Sequence, residues 1–280
     1  MREFTYKLPT EIIFGENTES RTGELVKKYG GSRVLVVYGG GSVIRSGLMD
    51  RVTASLQEAG VEYALFGGVQ PNPLLSKAVE GVQAAIDMDA DLILAVGGGS
   101  AIDTAKGIAH GAANPGVDLW DIWTLKVPLT KTLPVGAVLT IPAAGSETSA
   151  SSVLTNEETK RKLGLNVEMN RPVFAIMNPA LAATLPKWQI ACGIADIMMH
   201  TIDRYFNPLT GNALTDELGE AVLRMTIKHG KLAWEDPSNY HAMSELTWCG
   251  SVSHNGLTGL GTPVASPSMP WAMSSAPSSV

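Results

Sequence analysis

The sequence predicts an α/β domain with a parallel sheet, followed by an all-α domain. From residue 33 to about residue 112, apolar runs rich in β-formers alternate with helical periods, and glycine or proline breaks separate them. After Pro186 the spacing of apolar residues becomes helical and no strand signal competes with it. We therefore predict an α/β domain over residues 1–185 and a helical domain over residues 186–261.

Composition limits the classes of function. The chain has 280 residues and is 45% hydrophobic, which is enough to bury a substantial core. Its net charge is -6, so no basic face is expected for nucleic acid or for anionic lipid. The N-terminus has no apolar signal core, and no apolar run is long enough to span a bilayer. We expect a cytoplasmic protein with neither nucleic acid nor membrane as a partner.

In the first half, strand and helix alternate in a regular order. RVLVVY, VEYALFGGV and DLILAVG are strand candidates, and IRSGLMDRVTASLQEAG and AIDTAKGIAHGAA have the spacing of one apolar helix face. Such an alternation predicts βαβ units, with helices on both faces of the sheet and a ligand at the carboxyl ends of the strands.

The chain between residues 113 and 180 is richer in proline and in β-formers. KTLPVGAVLTIP and PVFAIMNP predict further strands, and TNEETKRK predicts a polar hairpin turn between two more. KWQIACGIADIMMHTIDRYF, ALTDELGEAVLRMTIKHGKLAW and NYHAMSELTWCGSVSHNGL predict helices. Cys192 and Cys249 lie in the last part, among apolar neighbours, and are predicted to be reduced and buried.

Two glycine-rich turns follow predicted strands. Glycines between a strand and a helix let the backbone approach a phosphate closely and direct free helix N–H groups toward it. Neither turn has the G-x-G-x-x-G spacing, so each can equally serve only to turn the chain. Asp103, on the first turn of the second helix, can bond a cofactor or complement the helix N-terminus. The two turns comprise Gly39, Gly40, Gly41 and Ser42, and Gly97, Gly98, Gly99 and Ser100.

Asp196 and His200 are a candidate metal pair. Residues four apart lie on one helix face, where a carboxylate oxygen and an imidazole nitrogen can bind one divalent cation. A neutral core histidine and a simple Asp–His hydrogen bond are the structural alternatives. The hydrolase motifs G-x-S-x-G and H-E-x-x-H are absent from the sequence.

Several separated motifs follow one another along the chain: YGGGSVIRSG, GGGSAIDTAKGIA, TIPAAGSETSASSVLTN, KLGL, MNPAL and ACGIADIMMHTIDRY. In order and spacing they resemble the iron-containing alcohol dehydrogenase family, and in particular its butanol dehydrogenase group. The likeness extends from residue 1 to about residue 261.

The resemblance implies a Rossmann-like nucleotide-binding domain and a helical metal-binding domain, with the active site between them. It implies hydride transfer between NAD(P) and a small alcohol or aldehyde. The turn at Gly39 would lie beside the adenosine ribose and lacks the acidic residue of NAD-preferring members, so NADP is favoured over NAD. Besides the glycine turns and Asp103, which would also assist catalysis, the cofactor residues implied are Asn72, Thr140, Ser149, Ser151, Lys162 and Leu181.

The resemblance further implies that Asp196 and His200 hold a divalent metal, iron or zinc. The metal would bind the alcohol oxygen and lower its pKa. The family adds two histidines further along the chain, in segments resembling H-E-x-x-A and a later H-G. After His200 this sequence has only His229, His241 and His254, and none of them lies in a matching context. His254 is expected to be structural, whereas His229 and His241 are expected to be solvated.

The tail over residues 262–280 is rich in proline, serine and alanine and is predicted to be disordered. Its abrupt change in composition suggests a shifted reading frame, with a natural truncation or an artefact as the alternatives, and predicts an incomplete helical domain. The alternatives to an active dehydrogenase are therefore a catalytically inactive nucleotide-binding remnant and an interaction protein. An exposed edge strand near the N-terminus and an incomplete helical domain favour a homo-oligomer.

Overall fold

The computed structural model describes residues 2–207 and 211–261. The predicted tail lies outside this range. The strands are β1 (Glu11–Phe14), β2 (Arg33–Tyr38), β3 (Glu62–Phe66), β4 (Leu92–Gly97), β5 (Val135–Leu139), β6 (Ser151–Asn156), β7 (Arg161–Asn166) and β8 (Phe174–Met177). The helices are α1 (Thr22–Lys28), α2 (Ser42–Arg45), α3 (Leu48–Glu58), α4 (Leu75–Asp87), α5 (Gly99–Ala113), α6 (Leu119–Trp123), α7 (Lys187–Tyr205), α8 (Ala213–Glu235) and α9 (Tyr240–His254).

Six strands form a parallel sheet in the order β1-β8-β5-β4-β2-β3. Every residue of β4 is buried, as are the four inner residues of β2, because helices cover both faces of the sheet. This explains why both strands are continuous apolar runs rather than alternating ones. The predicted parallel α/β fold is confirmed.

Two apolar clusters cover the two faces of the sheet. On one face, Leu25 of α1 and Val52 and Leu56 of α3 pack against strand residues such as Val36. On the other face, α5 contributes Ile102 and Ile108. The sheet is therefore the middle layer of an α/β/α sandwich, an architecture in which ligands bind at the carboxyl ends of the strands.

The hairpin of β6 and β7 is antiparallel, and its last pair is Asn156 with Arg161, which confirms the turn predicted within TNEETKRK. The short helix α6 packs beneath the hairpin and was not predicted. The carboxylate of Asp118 caps α6 by accepting from the amide of Trp120. The apolar side chains of α6 are buried against Leu154 and Leu165 of the hairpin. Tertiary contact rather than local periodicity therefore stabilises this helix.

Helices α7, α8 and α9 pack on one another around Ile190, Val222 and Leu246, among other residues. Helix α7 begins at Lys187, next to the domain boundary that the sequence predicts. The division into two domains remains a prediction. None of the helices that the structure describes combines the length and hydropathy that crossing a bilayer requires.

Two predictions about individual side chains in this region are wrong. Cys192 is exposed, although its sequence neighbours are apolar, because it lies on the outer face of α7. Cys249 is buried as predicted. His229 is only 2% exposed, and its ring lies edge-to-face with His241 at 5.2 Å between centroids. The exposed position of His241 agrees with the prediction.

Gly193 sets the distance between α7 and the loop that follows β5. A Cβ atom at this position would lie 2.2 Å from the carbonyl oxygen of Pro142, which belongs to the backbone and cannot rotate away. We expect Gly193→Ala to lower the free energy of unfolding by about 1–3 kcal/mol, as measured by urea denaturation. Gly219→Ala on α8 is the control, because its nearest neighbour would be at 3.4 Å. The gain in helix propensity should stabilise that variant by up to about 1 kcal/mol. Equal gains in both variants would contradict the prediction.

Candidate active site

The second glycine turn connects β4 to α5 at the carboxyl edge of the sheet. A side chain on Gly98 would press on Ile141, whose Cδ1 would be 3.0 Å from the new Cβ. The amide of Thr140 donates to the carbonyl of Gly97 at 3.1 Å, so the end of β5 lies beside the turn. The free N–H groups of the 15-residue helix α5 point out of this edge.

The first glycine turn lies next to the second, because β2 and β4 are neighbours in the sheet. The loop after β3 flanks the first turn. The amide of Val69 donates to the carbonyl of Tyr38 at 3.3 Å, and the amide of Gly68 donates to the carbonyl of Gly39 at 3.4 Å. Both turns predicted to hold the cofactor therefore lie side by side along one edge.

Asn72 and Lys162 are brought together by the hairpin. The Lys162 ammonium donates to the Asn72 side-chain oxygen at 2.9 Å, although the two residues are 90 positions apart. The amide of Thr155 donates to the carbonyl of Pro73 at 2.8 Å and fixes this loop against β6. The positive charge of Lys162 also acts to lower the pKa of Asp103 and the pKa of Asp196.

Both carboxylate oxygens of Asp103 are engaged by the protein. Oδ1 accepts from the hydroxyl of Ser146 at 2.5 Å, and Oδ2 accepts from the amide of Val153 at 3.0 Å. Burial raises the pKa of Asp103, while Lys106 and the bonds from Ser146 and Val153 oppose that rise. The Asp103 side chain therefore connects α5 to β6. The role of Asp103 in catalysis remains a prediction.

Lys106 lies one turn further along α5 and is completely buried. Its ammonium donates to the carbonyl of Ser146 at 2.8 Å, to the hydroxyl of Ser146 at 2.9 Å and to the carbonyl of Ser151 at 2.7 Å. It also lies 3.7 Å from Asp103. Burial lowers the pKa of Lys106 to about 8, while Asp103 and Glu147 raise it. Lys106 therefore ties α5 to the loop before the hairpin.

The remaining predicted cofactor residues surround this network. Ser149 is 1% exposed, and its carbonyl lies 3.5 Å from the Lys106 ammonium. Ser151 opens β6 and is partly exposed. Leu181, in a short turn after β8, packs against the apolar cluster of the sheet. Ser149 therefore supports the loop from within, whereas Ser151 reaches its surface.

Asp196 and His200 lie on α7 with 3.6 Å between Oδ1 and Nε2. That distance is too long for a hydrogen bond, and it is close to the separation of about 3.4 Å between two ligand atoms of one tetrahedral metal. The side chain of His200 is partly buried, with 31% of its surface exposed. Burial lowers the pKa of His200 to about 4, which keeps the ring in the neutral form that binds metals. The chemistry and the spacing fit two ligands of a divalent metal.

His254 of α9 packs against His200 of this pair. Its ring stacks on that of His200 with 4.1 Å between centroids, and its Nδ1 lies 2.7 Å from the carbonyl of Ala144. Because the carbonyl only accepts, Nδ1 carries the proton of a neutral ring. Burial lowers the pKa of His254 well below its ordinary value. The predicted structural role of His254 agrees with this packing.

Within residues 2–207 and 211–261, no three histidine, cysteine, aspartate or glutamate side chains form a group able to hold a metal ion. Asp196 and His200 are thus a pair of donors in the part of the chain that the structure describes.

The family model for iron-containing alcohol dehydrogenases matches residues 9–179. The chain belongs to this family. It is 43% identical over 261 residues to NADH-dependent butanol dehydrogenase A of Clostridium acetobutylicum, covering 93% of this chain and 67% of that protein. It is 34% identical to the NADPH-dependent aldehyde reductase YqhD of Escherichia coli, covering 94% of this chain and 67% of that protein.

A crystal structure of NADH-dependent butanol dehydrogenase A from Thermotoga maritima matches with a TM-score of 0.91 at 37% identity. The match covers 93% of this chain and 65% of that one. The chain therefore spans about two thirds of the length of these members of the iron-containing alcohol dehydrogenase family.

The structure adds one member to the site that sequence reasoning missed, Lys106. A signal was present: a single lysine, three residues after Asp103, in a helix otherwise made of small, apolar and uncharged residues. In a helix of this composition, a lysine three residues after an aspartate indicates a buried ion pair between the two side chains.

Proposed function

We propose that this chain is an NAD(P)-dependent alcohol dehydrogenase or aldehyde reductase that uses a divalent metal. The observation that carries the proposal is the Asp196–His200 pair, spaced as two metal ligands and electrostatically coupled to Asp103 and Lys162 beside the glycine turns. The relatives named as butanol dehydrogenases and as an aldehyde reductase support the same reaction class.

The residues of the chain divide the work between cofactor and substrate. The turn from Gly97 to Ser100 and the start of α5 would bind the pyrophosphate, since free helix N–H groups attract an anion. Asn72, Lys162 and Ser151 would line the side of the same cleft, while Asp103 and Lys106 keep the loop between β5 and β6 in place. Asp196 and His200 would hold iron or zinc, which when bound serves as a Lewis acid toward the substrate oxygen.

The experiment is an assay of NADPH oxidation with butyraldehyde on protein supplied with iron or zinc, with metal content measured on the same sample. We expect near-stoichiometric metal and turnover that a chelator removes. Samples without aldehyde and samples without added metal are the controls. Full metal occupancy and bound NADPH with no turnover would contradict the proposal.

A second candidate function, nucleotide binding without catalysis, follows from the small number of metal ligands. Because the described residues supply two side-chain donors, a metal would be largely open to water and its affinity would fall. The chain would then bind the nucleotide without catalysis. Absence of metal together with retained NADPH binding would favour this alternative.

The setting of the protein is also part of the proposal. We place it in the cytoplasm as a homo-oligomer. Within the described part of the chain, the edge strand β1 pairs only with β8. Trp188 and Phe206 are 72% and 77% exposed, so both apolar surface and a strand edge are open to association. Size-exclusion chromatography with light scattering would test the oligomer directly.

A further inference from the structure

Arg45 is the last residue of α2 and lies three residues beyond Ser42, where the first glycine turn ends. Its guanidinium folds back over that turn, with Nη1 only 2.7 Å from the place where a Cβ on Gly41 would stand. The side chain therefore fills the space that the missing Gly41 side chain leaves, directly beside the residues from Gly39 to Ser42.

The charge of Arg45 is not compensated. Two other arginines of this half of the chain, by contrast, have carboxylate partners: Arg21 pairs with Glu24, and Arg51 pairs with Glu19. Among the residues that the structure describes, the Arg45 guanidinium has neither a hydrogen bond nor an ion pair. An unpaired cation held at the edge of a proposed nucleotide site is positioned to bind an anion.

The segments around this turn carry no opposing charge. Residues 39–49 and 67–74 contain no aspartate or glutamate. The nearby Lys77 is already occupied, since its ammonium pairs with Glu80 and lies 4.1 Å from the centre of the Phe66 ring. The surface around the first glycine turn is therefore positively charged, and Arg45 is the cation there that has no carboxylate partner among the described residues.

We propose that Arg45 binds the 2′-phosphate of NADP(H) and makes this chain prefer NADP(H) to NAD(H). The inference rests on the proposed nucleotide site at the two glycine turns. A guanidinium matches a phosphate with two parallel N–H bonds, and the 2′-phosphate is the chemical difference between the two dinucleotides. Where NAD-binding proteins of this general fold place a carboxylate on the ribose, an arginine accommodates the phosphate instead.

The test measures dissociation constants of NADPH, NADH and 2′,5′-ADP by calorimetry on the whole chain. Arg45→Gln is expected to weaken NADPH and 2′,5′-ADP by about 10–100-fold, the value of lost charge-assisted bonds, and to change NADH less than about 3-fold. Arg45→Lys should restore part of the loss, because it keeps the charge without the planar fork.

Arg224→Gln is the matched control, since it removes an equal charge from an exposed ion pair on α8 and should leave all three constants unchanged. Equal weakening of NADPH and NADH by Arg45→Gln, or no change in either, would overturn the inference. So would a wild-type chain that binds NADH as tightly as NADPH or that binds no 2′,5′-ADP. Selective NADPH binding without aldehyde reduction would uphold the role of Arg45 while contradicting the proposed chemistry.

Discussion

Replacing Asp196 by alanine is expected to remove metal binding and to reduce metal-dependent aldehyde reduction by more than about 100-fold. The carboxylate is the one charged donor of the pair, and its Oδ1 lies 3.6 Å from His200 Nε2. With alanine, a single imidazole remains, which cannot retain a divalent cation against water. His200→Ala should have a similar effect. Metal content by mass spectrometry and NADPH oxidation with butyraldehyde are the two measurements.

Glu217→Ala provides the control for this variant. Glu217 is an exposed carboxylate on α8, so its loss changes the net charge by the same amount without touching the pair. It should keep both metal and turnover. Metal content that is unchanged in Asp196→Ala would contradict the assignment of Asp196 as a ligand. NADPH binding should persist in every variant, since the glycine turns are not altered.

Lys106→Met is expected to lower the free energy of unfolding by about 3–5 kcal/mol. The ammonium is fully buried and has three oxygen partners within 2.9 Å, besides Asp103 at 3.7 Å. Methionine fills a similar volume but removes the nearest countercharge of Asp103 and one donor from each of the Ser146 and Ser151 carbonyls. Urea denaturation followed by circular dichroism measures the loss.

Lys126→Met is the matched control, because Lys126 forms a 2.7 Å pair with Asp121 while remaining 67% exposed. A surface pair of this kind contributes at most about 1 kcal/mol. The double variant Lys106→Met/Asp103→Asn should be less destabilised than the sum of the two single variants, since both charges leave together. A cost for Lys106→Met no larger than that for Lys126→Met would contradict the prediction.

The central fold could be predicted from local pattern alone. Strands β2 and β4 are buried on both faces, and only uninterrupted apolar runs satisfy that position in a sheet. The glycines at 39–41 and 97–99 follow those strands directly, so adjacency in the sheet was enough to bring the two turns together. Asp196 and His200 needed only the geometry of a helix.

Other features depend on contacts between residues far apart in sequence. Helix α6 exists because the hairpin covers it, and the exposure of Cys192 depends on which face of α7 meets the other helices. His229 is buried despite its polar neighbours in the sequence. None of these could be read from a short window, because burial is set by what packs on a residue rather than by its neighbours in the chain.

The sequence by itself determined the parallel α/β domain, the two glycine turns and the carboxylate–imidazole pair, since each follows from a short-range period. Only the tertiary structure decided how that pair is supported, with His254 stacked on His200, and how Lys106 locks the loop at Ser146. It also decided that the guanidinium of Arg45 lies against Gly41. These arrangements arise when separate elements are packed together, and side-chain hydrogen bonds and electrostatic forces act only over the short distances that such packing creates.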